Sequence, residues 1–325
     1  MGGMKDGMTE VRLMQQSVNR DDPGYRCTDC PRKCSVLRTE QNIPGLGAGF
    51  CEMGNQPVIA RVMLHHWEEP CISGTRGSGT IFFSGCNLKC VFCQNEQISH
   101  ANHGRVFTGQ ELAVAIETLV RSGAHNINLV TAAHFTRSIA GVLRELKQGG
   151  LLEGIPVIYN TSAYEETETL KLLEGIVDVY LPDMKFSDDR DALKYAGVHD
   201  YVAVSRMAVL EMFRQVGLAQ YDENGLIYRG IMIRHLILPG LTEKSIAVIK
   251  WISEHLPNEV AVSIMSQYLP SDGVKESPEF CGLNRKVTKR EYKRVLDYLY
   301  QTGLQNGYVQ DVTSASAVYI PDFSG

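Results

Sequence analysis

The sequence lacks any run of apolar residues that approaches the roughly 18 needed for a membrane-spanning helix. It also opens without the apolar segment of a secretory signal, since its first residues are Met1-Gly2-Gly3-Met4-Lys5. These two absences predict a cytoplasmic protein. A disulfide framework is typical of small secreted chains, so the nine cysteines among 325 residues are expected to be free thiols or metal ligands.

A strong excess of charge is lacking too. The formal net charge is -5, and the composition is 44% hydrophobic and 21% charged, which is typical of an ordinary globular protein. No basic stripe supports non-specific binding to nucleic acid. No short repeat is present, which argues against a solenoid.

One stretch holds three cysteines, Cys86, Cys90 and Cys93, in the spacing C-x3-C-x2-C. Thiolates are the soft ligands that iron-sulfur clusters and zinc select. A fourth cysteine is missing nearby, whereas structural zinc almost always takes four protein ligands. A 4Fe-4S cluster held by three cysteines leaves one iron open. The alternative is a set of buried structural cysteines or half a zinc site, although Asn87 and Lys89 would make a poor core strand.

A second group of cysteines comes earlier in the chain. Cys27, Cys30 and Cys34 lie close together, and Cys51 follows after a glycine-rich loop. This pattern predicts a separate four-thiolate site, for zinc or a second iron-sulfur cluster, rather than a redox disulfide. Zinc bound here would supply folding free energy on the order of 10 kcal/mol.

The segment between the two cysteine groups begins with a predicted strand at residues 58–64. His65-His66 and Glu68-Glu69 follow it. Neighbouring residues of an extended segment point to opposite faces, so a shared metal ion is disfavoured here. We expect a structural role or a place at the edge of a substrate site.

Strands and helices alternate along the rest of the chain. Strands are predicted at residues 80–84, 126–131, 156–160, 177–181, 230–237 and 260–266. Helices are predicted at residues 112–121, from the second strand to about 148, and at 165–173, 188–196, 206–216, 242–255 and 288–301. This order predicts an α/β fold with parallel strands and crossover helices, either a barrel or an open doubly wound sheet.

Polar residues follow the predicted strands where each strand ends. Parallel α/β folds place their chemistry at these carboxyl ends. The candidates are Thr131 and His134 after the second strand, Asn160 after the third, Asp183 and Lys185 after the fourth, Arg234 in the fifth and Gln267 after the sixth. We expect them to meet at the mouth that holds the cluster loop.

The three-cysteine motif, with the aromatic Phe92 before its last cysteine, resembles the signature of the radical S-adenosylmethionine (SAM) superfamily. The resemblance implies that SAM binds the open iron through its amine and carboxylate. It also implies that an electron from the cluster cleaves SAM to a 5′-deoxyadenosyl radical. The low potential of such a cluster predicts a flavodoxin or ferredoxin as electron donor.

Residues 179–185 and 234–240 are similar to segments of the pyruvate formate-lyase-activating enzymes. That resemblance implies that Asp183, Lys185 and Arg234 line the SAM pocket, and we expect Phe92 and Asn160 to contribute to it. The alternatives are a surface ion pair for Asp183 with Lys185 and a helix cap for Arg234.

The chain departs from that family at residues 131–134. A Gly-Gly-Glu segment that meets the SAM amine in the family is replaced here by Thr131-Ala132-Ala133-His134. Thr131 and the backbone are left as candidates for the amine contact. His134 is expected either to face substrate or to be a core residue.

The amino-terminal cysteine layout is similar to uncharacterised activating-enzyme-like proteins, including the radical SAM member of the AmmeMemoRadiSam set. Together these resemblances imply a partial (β/α)6 TIM-type barrel at residues 73–325. A cysteine-rich metal-binding segment at 25–72 and a flexible tail at 1–24 precede it.

Three functions fit the sequence. The first is an activase that abstracts hydrogen from a partner protein, as glycyl-radical activases do. The second is a radical enzyme acting on a small molecule or nucleotide, with His134 and Gln267 as substrate contacts. The third is a non-catalytic metal-binding adaptor or redox sensor.

Overall fold

The computed structural model of the chain describes residues 24–39, 49–311 and 323. The strands are β1 Tyr25–Arg26, β2 Leu37–Arg38, β3 Val58–His65, β4 Ser78–Phe83, β5 Arg105–Val106, β6 Ile127–Val130, β7 Val157–Thr161, β8 Val179–Pro182, β9 Gln220–Tyr221, β10 Ile227–Leu236, β11 Ala261–Met265 and β12 Asn306–Val309. The helices are α1 Pro70–Ser73, α2 Glu96–Ser99, α3 Gly109–Arg121, α4 Thr136–Gln148, α5 Thr167–Leu170, α6 Asp189–Ala196, α7 Tyr201–Val216, α8 Thr242–His255, α9 Asp272–Glu276 and α10 Lys289–Gln301. All but the last residue of the predicted tail at 1–24 lies outside the described residues.

A ten-stranded sheet forms the centre of the fold. Its order is β12-β11-β10-β8-β7-β6-β4-β3-β5, with β9 attached to β10. The strands from β4 to β12 along this order pair in parallel, whereas β3, β5 and β9 pair antiparallel. Over the described residues no ladder joins β12 to β5. The α/β prediction is confirmed, and the sheet is consistent with a partial barrel.

The sequence predicted six of the parallel strands, and the structure adds a seventh. Strand β12 pairs in parallel with β11 and is mostly exposed. It begins with Asn306-Gly307, a pair typical of turns, and lacks the apolar pattern of a buried strand. Gly307 is needed there because a Cβ would lie 1.7 Å from the carbonyl oxygen of Val262.

The predicted helices occur, with two corrections. The capping start of α3 is confirmed, since Thr108 and Glu111 form a capping box. The helix predicted at 165–173 is only the single turn of α5 followed by a 3-10 turn, Lys171–Leu173. The helix predicted at 206–216 begins earlier, at Tyr201. Its first turns contain valines, which are β-branched and have a low helix propensity, so the sequence pattern did not predict a helix there. Burial of Tyr201 stabilises these turns in the fold.

The segment after β3 closes the amino end of the parallel strands. Helix α1 begins with Pro70, which suits a first helical position. Its buried residues Cys71 and Ile72 belong to an apolar cluster with strand residues such as Val179 and Leu181. This plug, residues 66–74, points Glu68 and Glu69 towards the interior of the sheet. No helix in the described ranges is long and apolar enough to cross a membrane.

Candidate functional site

The cluster loop, residues 84–95, follows β4 directly. Gly85 opens it with φ +75°, and a Cβ there would lie 2.8 Å from Met53 and 2.9 Å from the carbonyl oxygen of Cys51. A side chain would therefore force apart the loop and the amino-terminal segment. Glycine at this position lets the two pack closely.

Cys86, Cys90 and Cys93 are close enough to act on one another. Burial raises the pKa of all three thiols, that of Cys90 to about 12, and the neighbouring thiols Cys90 and Cys93 raise the pKa of Cys86 further. Cys86 Sγ accepts the N–H of Leu88 at 3.3 Å, and Cys93 Sγ accepts the hydroxyl of Ser99 at 3.2 Å.

The three thiols also fit the expected cofactor. As the described side chains are placed, no three His, Cys, Asp or Glu form a group for a single metal ion. In a 4Fe-4S cluster each thiolate instead binds its own iron, and hydrogen bonds to the sulfurs tune the potential. A set of three adjacent soft thiols, two of them with donors, suits such a cluster.

Lys185 lies beside these thiols. Its Nζ is 2.8 Å from Asp183 Oδ2, and its charge acts to lower the pKa of Cys86, Cys90 and Cys93. Burial acts to lower the pKa of Lys185, yet Asp183 and the thiols hold it above its ordinary value. The pair is about one-fifth exposed, so it is not an ordinary surface ion pair.

Asp183 is fixed by its surroundings. Burial acts to raise its pKa, but Arg234 and Lys185 together hold that pKa below its ordinary value. Its backbone N–H donates to the carbonyl oxygen of Thr161 at 2.7 Å. The hydroxyl of Tyr201 lies 2.8 Å from the carbonyl oxygen of Asp183 and accepts the N–H of Lys185 at 2.8 Å. Tyr201 therefore positions both ends of the Asp-x-Lys segment, a role the sequence did not reveal.

Arg234 joins three partners inside the sheet. Its Nε donates to Asp183 Oδ1 at 2.8 Å, Nη1 to Glu68 Oε2 at 2.9 Å and Nη2 to Asn160 Oδ1 at 2.6 Å. The side chain is about 10% exposed and caps no helix. Three of its five N–H groups thus hold protein groups in place.

For the segment with Glu68 and Glu69 the sequence predicted a structural role or a place at the edge of a substrate site, rather than a metal pair. Glu68 Oε1 accepts the side-chain amides of Asn128 and Asn160, each at 3.2 Å. Glu69 lies 3.8 Å from Arg234, and its burial raises its pKa. The only sequence signal was two carboxylates before a proline at the end of a strand.

Phe92 lies within the cluster loop, and Thr131 directly follows β6. Phe92 is buried and makes edge contacts with Phe186 and Tyr268 at ring centroid distances of 6.0 and 6.4 Å. Thr131 has φ +63°, which is unusual for a β-branched residue, and its N–H donates to the carbonyl oxygen of Asn160. Such strain is concentrated at functional sites. Their cofactor contacts remain predictions.

Gln267 lies near the cluster loop. Its carbonyl oxygen accepts the side-chain amide of Gln94 at 3.1 Å, and its own side chain accepts that of Gln310 at 3.0 Å. Gln94 directly follows the third cysteine of the cluster loop. A substrate contact by Gln267 remains a prediction.

His134, for which the sequence left a core or a substrate position open, is buried and lines a cavity with Cys27, Cys30, Cys34 and Cys51. Its Nε2 bonds the carbonyl oxygen of Ser84 at 2.8 Å. This burial against the amino-terminal segment does not support a substrate contact. The four amino-terminal cysteines line this one cavity, and a metal site there remains a prediction.

Comparison with known proteins adds to this geometry. Residues 80–252 match the model of the Radical SAM superfamily. The chain is 32% identical to the uncharacterised protein MJ0674 of Methanocaldococcus jannaschii over 282 aligned residues. The alignment covers 83% of this chain and 73% of MJ0674.

Two solved structures are also similar. A cysteine-to-serine mutant of spore photoproduct lyase matches 77% of this chain and 80% of its own, with 10% identity and a TM-score of 0.50. SuiB of Streptococcus suis, bound to the precursor peptide SuiA, matches 71% of this chain with 13% identity and a TM-score of 0.47, and the match spans about half (48%) of SuiB. The family model matches more than half of the chain, including the cluster loop with its three cysteines and the segments that carry Asp183 and Arg234. The chain therefore belongs to the radical SAM superfamily, whose members bind SAM and a 4Fe-4S cluster.

Proposed function

We propose that this chain is a radical SAM enzyme that abstracts hydrogen from a substrate, with the cluster held by Cys86, Cys90 and Cys93. The observation that carries the proposal is the cation of Lys185, bonded to Asp183 and placed beside all three thiols. When bound, the cluster supplies the electron that cleaves SAM to a 5′-deoxyadenosyl radical.

The protein residues bind and orient SAM. Lys185 offers an ammonium to the SAM carboxylate, and Asp183 fixes that ammonium through the 2.8 Å bond. Arg234 donates to Asp183 from inside the sheet, and Asn160 in turn accepts from Arg234. A charge-assisted bond in a site this dry is stronger than one in water.

The left-handed backbone at Thr131 turns the chain at the end of β6. We propose that this turn, which replaces the Gly-Gly-Glu segment of the activating enzymes, meets the SAM amine. Phe92, packed on Phe186 and Tyr268, supports the cluster loop from the apolar side.

The substrate class follows from resemblance. The segments around Asp183 and Arg234 are similar to the pyruvate formate-lyase-activating enzymes, so we propose a partner protein as substrate and a flavodoxin or ferredoxin as electron donor. We propose that the four amino-terminal cysteines form a separate centre, which SAM cleavage itself does not need.

An anaerobic assay tests the activity. The chain is reconstituted with iron and sulfide, reduced with dithionite and mixed with SAM, and 5′-deoxyadenosine is measured by chromatography. Formation of 5′-deoxyadenosine in the wild type, but not in Cys90→Ala, supports the proposal. A reduced, cluster-loaded wild type that forms none, even with cell extract added, supports the adaptor alternative instead.

A further inference from the structure

The amino-terminal cavity is built from thiols. Cys27, Cys30 and Cys51 are each less than 9% exposed, and Cys34 lines the same cavity. The guanidinium of Arg38, itself 1% exposed, donates to Cys51 Sγ at 3.3 Å. This buried guanidinium offers a counter-charge to an anionic thiolate centre bound in the cavity.

His134 supplies an independent observation. The side chain is 1% exposed and lines the same cavity. Because Nε2 bonds a carbonyl oxygen, Nε2 carries the proton and Nδ1 presents a lone pair. That Nδ1 is buried without a hydrogen-bond partner. A buried acceptor left unpaired is costly, and a metal centre in the cavity offers it a partner.

Little regular structure holds this segment together. β1 and β2 are two residues each, and the cysteines lie in turns closed by backbone bonds such as Lys33 N–H to Cys30 carbonyl and Ser35 N–H to Cys27 carbonyl. Lys33 and Ser35 adopt positive φ values of 41° and 54°. A short, strained segment of this kind gains most from a bound metal.

One side chain of this segment reaches the cluster loop. Arg32 lies in the turn between Cys30 and Cys34, and its Nε donates to the carbonyl oxygen of Asn87 at 3.0 Å. Its Nη1 donates to the carbonyl oxygen of Gly197 at 2.8 Å, and the guanidinium stacks 3.5 Å from the ring of Phe50. Asn87 directly follows the first cluster cysteine and also lines the amino-terminal cavity.

We propose that Cys27, Cys30, Cys34 and Cys51 hold a thiolate-bound metal centre, with His134 beside it, that fixes the SAM-cluster loop through Arg32. The inference rests on the proposed function in taking Cys86, Cys90 and Cys93 as the cluster ligands. Zinc and an iron-sulfur cluster share thiolate ligands. As the described side chains lie, no three of them are grouped for a single metal ion, so a cluster, in which each thiolate binds its own iron, fits these sulfurs better than zinc. The centre orders the turn that carries Arg32, and Arg32 then holds the backbone beside Cys86.

The first test isolates the amino-terminal centre. The full chain with Cys86→Ser, Cys90→Ser and Cys93→Ser lacks the SAM-cluster ligands, so any thiolate-bound metal belongs to the amino-terminal site. Zinc, iron and sulfide are measured per chain. One zinc, or iron with equal sulfide, supports the proposal and identifies the metal. Metal content no higher than that of a variant in which the four amino-terminal cysteines are also serine overturns it.

The second test addresses the link. Arg32 is not a metal ligand, so the Arg32→Ala variant is expected to keep the amino-terminal metal. Because it releases Asn87, we expect it to lose SAM-cluster iron to a chelator about tenfold faster than the wild type, and to change the electron paramagnetic resonance (EPR) spectrum of the reduced cluster. Arg26→Ala, which removes a neighbouring arginine whose Nη1 donates to the carbonyl oxygen of Ser35 within the segment, is the matched control. Equal iron loss and identical spectra in Arg32→Ala and Arg26→Ala would overturn the link.

These outcomes are separate from the activity. A wild type that forms no 5′-deoxyadenosine overturns the proposed function. Metal analysis and chelator kinetics still test the amino-terminal centre in that case. Conversely, active enzyme with no second metal leaves the function standing and removes this inference.

Discussion

Arg234 Nη1 lies 2.9 Å from Glu68 Oε2, and this bond links the fifth predicted strand to the plug that closes the amino end of the sheet. The same arginine bonds Asp183, which in turn bonds Lys185 beside the cluster cysteines. A continuous series of charged contacts therefore runs from the plug, residues 66–74, to the cluster loop. A substitution in the plug is expected to affect both the stability of the fold and SAM binding.

Glu68→Ala removes one carboxylate from this series. Because it removes one of the carboxylates that pair with the buried Arg234 and leaves the amides of Asn128 and Asn160 without this acceptor, we expect the free energy of unfolding to fall by about 2 kcal/mol. Denaturant unfolding measures the change. Glu117→Ala, which breaks an exposed pair with Arg121, is the control and should cost under about 1 kcal/mol. Similar losses in both variants would show that the network contributes little.

Lys185→Met keeps the length of the side chain but removes its charge. The cluster should still form, since Lys185 supplies no ligand, whereas SAM affinity should fall about tenfold to a hundredfold through loss of a charge-assisted bond. The change in the EPR spectrum on SAM titration gives this affinity. Lys275→Met, at an exposed pair with Asp272, should bind SAM as the wild type does. Unchanged affinity in Lys185→Met would contradict the assigned role.

Cys90→Ala is expected to abolish formation of 5′-deoxyadenosine and leave the circular dichroism spectrum unchanged. Its control is Cys281→Ala, because Cys281 is an exposed free thiol. Activity in Cys90→Ala comparable to that control would remove Cys90 from the cluster ligands.

Ser99→Ala removes the hydroxyl that donates to Cys93 Sγ at 3.2 Å. A hydrogen bond to a ligand sulfur stabilises the more negative, reduced cluster, so its loss should make the reduction potential more negative. Potentiometric titration followed by EPR measures the shift. Ser253→Ala, at an exposed helix position, should leave the potential unchanged. A more positive potential in Ser99→Ala would contradict the expected direction.

Glu165 predicts a pH dependence of stability. Burial raises its pKa to about 8, despite an opposing hydrogen bond from Thr161. In the unfolded chain the pKa is about 4.3, so between these values only the unfolded state releases the proton. Glu165 therefore contributes fully to the free energy of unfolding below about pH 4.3, and this contribution is lost as pH rises to about 8.

Glu165→Gln should remove this part of the pH dependence. The difference in unfolding free energy between the variant and the wild type should favour the variant more at pH 8 than at pH 5, as measured by urea denaturation. Glu117→Gln, at an exposed site, provides the baseline. A difference that does not change with pH would show that Glu165 is already charged in the fold.

Local patterns were enough to predict the strands of the α/β fold and the capped start of α3. The alternation of apolar strands with amphipathic helices depends on neighbours in sequence, so it can be read directly. β12 could not be predicted this way because it is held by pairing with β11 rather than by its own composition. Likewise, Tyr201 starts α7 through burial, which depends on distant residues.

The candidate site divides in a similar way. The spacing of Cys86, Cys90 and Cys93 lies within one loop, so it was visible in the sequence. Glu68 reaches Arg234 across 166 positions of chain, and no local pattern marks such a contact. The sequence left His134 open between a core and a substrate position, because the 3-10 turn after β6 that directs this side chain towards the amino-terminal segment is not marked by a local pattern.

The close approach of Cys51 to Gly85 has a consequence for synthesis of the chain. Both cysteine groups leave the ribosome before β6, β8 and β10, the strands that will carry Thr131, Asp183 and Arg234. During that interval the thiols are present without the residues that later enclose them. Because Cys27, Cys30, Cys34 and Cys51 are all synthesised before Cys86, the proposed amino-terminal centre would have its full set of thiols before the cluster loop exists.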